Sequence, residues 1–79
     1  MTPHIAYATF DDAALAEDAQ QYLLANEFEE ENLEIKPAGA EQHQRVTLNI
    51  YTKTSMEAQE AVDVLRNYGA TGINMYEVV

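Results

Sequence analysis

One helix-forming segment occurs twice in this chain, with the two copies 42 residues apart. Each copy runs from a capping residue through an apolar stripe at helical spacing to a residue that ends the helix. Such a repeat predicts a fold made of two similar halves. The aligned positions are Asp12, Ala16, Ala19, Tyr22, Leu23 and Phe28 in the first half and Thr54, Ala58, Ala61, Val64, Leu65 and Ala70 in the second.

Strand-forming segments flank both predicted helices. They combine β-favouring residues with apolar alternation, and they cover residues 4–10, 33–36, 45–52 and 73–79. A loop over residues 37–44 joins the second and third strands, and a turn containing Gly72 precedes the fourth. The order is therefore βαββαβ. Because crossover connections are right-handed, we predict one α+β domain over residues 1–79, with a ferredoxin-like fold. Its four-stranded antiparallel sheet has the order 4-1-3-2, with both helices on one face.

The helix boundaries are predicted from capping residues. The first helix covers residues 12–26, beginning at Asp11 or Asp12, with Asn26 as the left-handed residue that ends it. The second begins at Thr54 or Ser55 and stops at Gly69.

The repeat also predicts which strand residues point toward the helices, because the 42-residue offset aligns the first strand with the third. The small alanines of the first strand leave room for Tyr22 and Leu23. The predicted helix-covered residues are Ala6, Ala8, Phe10, Val46, Leu48 and Ile50.

The opposite face of the sheet then carries an aromatic patch flanked by Ile5 and Val78. Tyrosine combines a large apolar area with a hydrogen-bonding tip, which suits a protein interface. Its preference for strands explains the same residues without any function, so both interpretations stay open. The candidate interaction surface consists of Tyr7, Asn49, Tyr51 and Tyr76.

The charge of the chain excludes several partners. Four basic residues stand against fourteen acidic ones, which gives a net charge of −10 at pH 7. Because the bases are few and scattered, we expect binding neither to nucleic acid nor to an anionic membrane. With no long apolar run and no signal segment, the chain is predicted to be cytoplasmic. An acidic surface is typical of ordinary soluble proteins and also of proteins in a high-salt cytoplasm.

The sequence groups no residues in a catalytic or metal-binding pattern. Neither His4 nor His43 accompanies a serine or cysteine on a nucleophile elbow, and we expect both to be solvated. The acidic residues 29–31 lack the spacing of a calcium loop and are predicted to form a solvated turn. No catalytic, cofactor-binding or metal-binding residue is therefore predicted, and a non-enzymatic role is favoured.

Several stretches resemble the heat-induced stress protein YflT domain, also called the general stress protein 17M family. They include the Phe10-Asp11-Asp12 helix start and the Gly69-Ala70 helix end, and they extend over residues 7–13, 23–28, 30–35, 46–48 and 58–70. Glycine is usual in the family where this chain has Asn26-Glu27. The resemblance implies an association with general stress responses and carries over no catalytic residue.

The sequence thus predicts a small stress-associated interaction module that forms a homodimer or binds a protein partner through the tyrosine-bearing face. Pairing at the edge of the sheet is the competing mode of dimerisation. The alternative function is that of a small-molecule-binding or enzymatic relative of the dimeric α+β proteins.

Overall fold

A computed structural model describes residues 3–37 and 45–77 of the chain. Residues 38–44 of the loop predicted over residues 37–44, which include His43, lie outside the described residues, as does Val78. Pro37 was assigned to that loop wrongly, because it is the last residue of β2 and pairs with Val46. The elements are β1 (His4–Phe10), α1 (Ala13–Ala25), a 3₁₀ turn (Glu30–Asn32), β2 (Leu33–Pro37), β3 (Val46–Thr52), α2 (Ser55–Asn67) and β4 (Thr71–Glu77).

The four strands form one antiparallel sheet in the order β2-β3-β1-β4. Counted from the other edge, this order is 4-1-3-2. The α+β class and the sequence of elements agree with the prediction. The start of β4 was predicted wrongly, because the strand begins at Thr71 and contains Gly72, which was assigned to a turn.

A bulge explains this difference. Tyr7 pairs with Asn74 and Thr9 pairs with Thr71, so β4 has one more residue than β1 between these two pairs. Gly72 has a φ of 56° at this point, which glycine adopts without a steric penalty. The pairing with β1 therefore continues past the glycine.

The side chains predicted to face the helices form the core. Ala6, Ala8, Phe10, Leu48 and Ile50 are fully buried, whereas Val46 is only partly buried. They belong to one cluster with buried residues of both helices, namely Ala16, Ala19, Leu23, Ala61, Val62 and Leu65.

Two large residues of α1 do not enter this core. Leu15 and Tyr22 are 38% and 40% exposed, so the prediction that Tyr22 fills the space above the strand alanines was wrong. Its ring lies 5.9 Å from the ring of Tyr68, at the end of α2. The packing of α1 therefore relies on Ala16, Ala19 and Leu23, and Tyr22 lies beside the second helix at the surface.

Both helices begin at the predicted caps. The side chain of Asp12 accepts a hydrogen bond from the Ala14 N–H at 2.9 Å, and that of Thr54 accepts one from the Glu57 N–H at 3.1 Å. The Glu57 carboxylate accepts from the Lys53 N–H.

Both helices also end in the same way. The Phe28 N–H donates to the Leu23 carbonyl at 3.1 Å, and 42 residues later the Ala70 N–H donates to the Leu65 carbonyl at 3.0 Å. This is the Schellman arrangement, which needs a left-handed residue just before the donor. Gly69 supplies it in α2 with a φ of 87°.

In α1 the left-handed residue is Glu27, with a φ of 74°. The prediction that Asn26 takes this conformation was wrong by one position, because Asn26 has a φ of −111°. Its side chain instead donates to the Tyr22 carbonyl at 2.8 Å.

The two outer strands differ in how they protect their free edges. β2 is five residues long and ends in Lys36 and Pro37. A lysine and a proline are common means of preventing an edge from pairing with another chain. β4 is seven residues long and contains no lysine, arginine or proline.

Candidate interaction surface

The sheet face opposite the core presents its side chains in rows that cross the strands. In one row Tyr51, Ile5 and Tyr76 lie directly opposite one another, on β3, β1 and β4. The next row crosses all four strands and consists of Glu34, Asn49, Tyr7 and Asn74. A third row, with Lys36, Thr47 and Thr9, is polar. We call this surface the open face; its members are Ile5, Tyr7, Thr9, Glu34, Lys36, Thr47, Asn49, Tyr51, Asn74 and Tyr76.

All four residues of the predicted interaction surface lie on the open face. The Tyr7 and Tyr76 rings meet edge to face, with 5.7 Å between their centroids. Asn49 lies directly opposite Tyr7, and Tyr51 is separated from Tyr76 by Ile5. The structure thus brings the four residues together, and their role in binding stays a prediction.

The aromatic residues of this face differ in exposure. Tyr51 and Tyr76 are 42% and 50% exposed, whereas Tyr7, in the next row, is partly buried. Residues that stay this exposed on a sheet surface can bury substantial apolar area against a partner. The open face therefore carries two tyrosines in ring contact, Tyr7 and Tyr76, with Ile5 between Tyr76 and Tyr51.

Two ion pairs lie on the open face or at the end of its sheet. The Lys36 ammonium lies 3.4 Å from a Glu34 carboxylate oxygen, and the Arg45 guanidinium lies 3.5 Å from Asp11 at one end of the sheet. Lys53 lines a small cavity next to Tyr51. Of the four bases in the sequence, Lys36 lies on this face and Lys53 lines a cavity together with Tyr51.

A second concave region lies between the two helices, and nothing in the sequence pattern of either helix alone indicated it. It encloses about 260 Å³ and adjoins a cavity of about 180 Å³ below the end of α1. We call the larger region the interhelical groove; it is lined by Tyr22, Leu23, Asn26, Phe28, Glu60, Asp63, Val64 and Asn67.

Among the described residues outside the open face, His4 and Glu31 have distinctive surroundings. The His4 imidazole lies 3.8 Å from the Glu77 carboxylate and is only 15% exposed, so the expectation of a solvated His4 was wrong. A hydrogen bond with Glu29, together with the charge of Glu29, raises the pKa of Glu31 above its usual range in the exposed acidic turn.

The described residues place no group of three or more His, Asp or Glu side chains where they could hold a metal ion. Each described helix has 13 residues, and neither is long and apolar enough to cross a membrane.

Comparison with known proteins gives a likeness of fold. No protein-family profile and no curated protein sequence matches the chain. Its structure is similar to LarC2, the C-terminal domain of a cyclometallase involved in the synthesis of the NPN cofactor of lactate racemase, in the apo form. The TM-score is 0.74 at 10% sequence identity, over 99% of this chain and 55% of the LarC2 chain. This chain thus spans about half the length of that protein, and at this identity the likeness shows the fold alone.

Proposed function

We propose that this protein is a non-enzymatic interaction module that self-associates through its open face. The observation that carries the proposal is the row of Tyr51, Ile5 and Tyr76 on a face that also holds the Lys36–Glu34 ion pair, in a chain with a net charge of −10. Burying apolar and aromatic side chains favours association, and a face with little net charge repels a second acidic copy less than the rest of the surface does. The open face is therefore the part of this molecule on which two copies can associate with the least electrostatic repulsion.

The proposal includes a ferredoxin-like arrangement in which both helices cover one face of the sheet. It is supported by the single core cluster that buried residues of α1 and α2 share with Ala6, Ala8 and Leu48. This arrangement leaves the tyrosine-bearing face for a partner. A small domain gains stability when it buries such a face, because its own core is limited by its size.

The stress association and the cytoplasmic location are also part of the proposal. The stress association is supported by the resemblance of the helix start at Phe10-Asp11-Asp12 and the helix end at Gly69-Ala70 to the YflT domain family, and the cytoplasmic location is carried over from the expectation in the sequence analysis. The alternative of a small-molecule-binding or enzymatic protein finds less support beside the open face, because the cavity that reaches Tyr51 encloses only about 70 Å³.

The self-association is tested by measuring the mass of the protein in solution. We expect a concentration-dependent dimer by sedimentation equilibrium, and we expect Tyr51→Glu to weaken it by more than about tenfold, as for a buried interface tyrosine. The matched control is Tyr22→Glu, which adds the same charge at a tyrosine of similar exposure, 40% against 42%, on α1. The control should leave the dimer unchanged.

A second control separates the open face from the edge of the sheet. Met75 on β4 is 41% exposed and pairs with Ala6 of the core face. A dimer formed by β4 edges should weaken in Met75→Lys and persist in Tyr51→Glu. That result, or a monomer at high protein concentration, would rule out the proposed interface.

A further inference from the structure

We propose that the interhelical groove is a docking site for a positively charged amphipathic segment of a partner protein. The segment places an apolar side chain beside Phe28 and its lysines or arginines against the carboxylates of the groove. This inference does not depend on self-association, because the groove lies between the helices and shares no residue with the open face.

The floor of the groove is apolar and aromatic. Tyr22 is 40% exposed there, and Phe28 and Val64 are partly buried beside it. The Schellman hydrogen bond from the Phe28 N–H to the Leu23 carbonyl fixes the backbone that carries the phenyl ring, and the ring itself packs partly against the core. The surface is therefore already formed before a partner arrives, which lowers the entropic cost of binding.

The walls of the groove are acidic. Glu60 and Asp63 line it, and Glu27 and Glu57 line the adjoining cavity with Glu60. No lysine or arginine lines these two cavities, and Lys53 lines the smaller neighbouring cavity that shares Glu27, Phe28 and Glu57 with them. Asp63 receives a hydrogen bond from Arg66 at 3.3 Å, whereas Glu27 and Glu60 form no ion pair with the described residues.

Carboxylates beside apolar and aromatic side chains favour a ligand that is both cationic and apolar. A cationic side chain is attracted by carboxylates and also by the face of an aromatic ring. At about 260 Å³ the groove is smaller than the cavities that usually enclose a drug-sized molecule, and it is open to solvent. One or two side chains of a docking segment fit this volume, in the manner of an amphipathic helix bound in a groove.

The internal repeat supplies a matched control. Asp18 occupies in α1 the position that Glu60 occupies in α2, and it is exposed. The residues around these two positions differ between the halves. Glu60 has Asp63 and Phe28 near it, and the repeat places Gln21 and Ala70 at the equivalent positions around Asp18. The same change of charge can therefore be made at a site with Phe28 and at the equivalent site with Ala70 in its place.

The experiment uses two fluorescein-labelled peptides of equal length and charge. The first is a helical peptide of leucine and lysine with its leucines on one face, and the second replaces the leucines by alanine. We expect fluorescence anisotropy to show tighter binding of the leucine peptide. Glu60→Gln should weaken it by roughly two- to fivefold, as for one exposed charge pair, and Asp18→Asn should weaken it less. Tyr22→Ala should reduce the preference for leucine, with circular dichroism to verify folding.

Nuclear magnetic resonance locates the bound peptide. Shifts concentrated at Tyr22, Asn26 and Asn67 support the groove. The inference is overturned by undetectable binding, by equal affinity for the two peptides, by equal effects of Glu60→Gln and Asp18→Asn, or by shifts concentrated at Tyr51 and Tyr76. Sedimentation without peptide reports separately on the open face.

Discussion

Glu27 occupies a backbone conformation that normally favours glycine, at the position where α2 has Gly69. A side chain in this conformation costs free energy, because its Cβ approaches the following carbonyl oxygen. We expect Glu27→Gly to raise the free energy of unfolding by about 0.5–1 kcal/mol, measured by urea denaturation.

The control for this prediction is Gly69→Ala, with the opposite sign. A Cβ at Gly69 would meet only a Leu15 methyl carbon at 3.9 Å, so the expected loss of about 1 kcal/mol comes from the backbone conformation and not from a clash. A Glu27→Gly variant that is less stable than the parent would show that the Glu27 side chain makes a net favourable contribution.

The acidic turn offers a prediction about pH. The hydrogen bond with Glu29 and its charge raise the folded-state pKa of Glu31 above 4.5. A raised folded pKa favours folding below the unfolded pKa, and this contribution is lost as the pH rises through the folded value. We therefore expect Glu29→Gln to lower the pKa of Glu31, as followed by carboxyl chemical shifts. The Glu29→Gln variant should also gain thermal stability at neutral pH, where two carboxylates repel each other in the parent protein. This gain should disappear below the unfolded pKa of 4.5, where the carboxyls are protonated. An unchanged Glu31 titration would contradict the assigned cause.

Among the elements, local signals predicted more than long-range ones. Asp12 and Thr54 start their helices because a side-chain oxygen satisfies a nearby N–H, which depends on adjacent residues only. The burial of Ala6 was predicted from its alignment with Leu48 at the 42-residue offset, together with the alternation along each strand. The start of β4 was missed because Gly72 is typical of a turn, and only its pairing with β1 makes it part of a strand.

The same reasoning explains the two surfaces. Tyr7, Tyr51 and Tyr76 could be placed on one face because strand alternation and strand order together determine it. The interhelical groove could not be predicted, because it requires the end of α1 to meet the middle of α2. The apolar stripe of the first helix predicted that both Tyr22 and Leu23 would pack onto the sheet, but Tyr22 is 40% exposed and only Leu23 is buried.

For the whole molecule, the net charge of −10 makes salt a test that separates the two proposals. Two copies repel each other through their acidic surfaces, and salt screens this repulsion beyond a distance of about 10 Å at 0.1 M. Dimerisation through the open face should therefore strengthen as sodium chloride rises, whereas binding of a cationic peptide to the groove should weaken. Sedimentation and anisotropy over the same salt series measure both. A dimer that dissociates in salt would indicate that charge pairs hold it.

The unequal edges of the sheet limit how far this protein can assemble. A molecule that can extend its sheet on both sides behaves as a bifunctional monomer, and its products are fibres. Here Lys36 and Pro37 block one side, which leaves β4 as a single reactive end. If two copies join their β4 strands, the sheet is terminated on both sides by β2, and chain growth stops at that step.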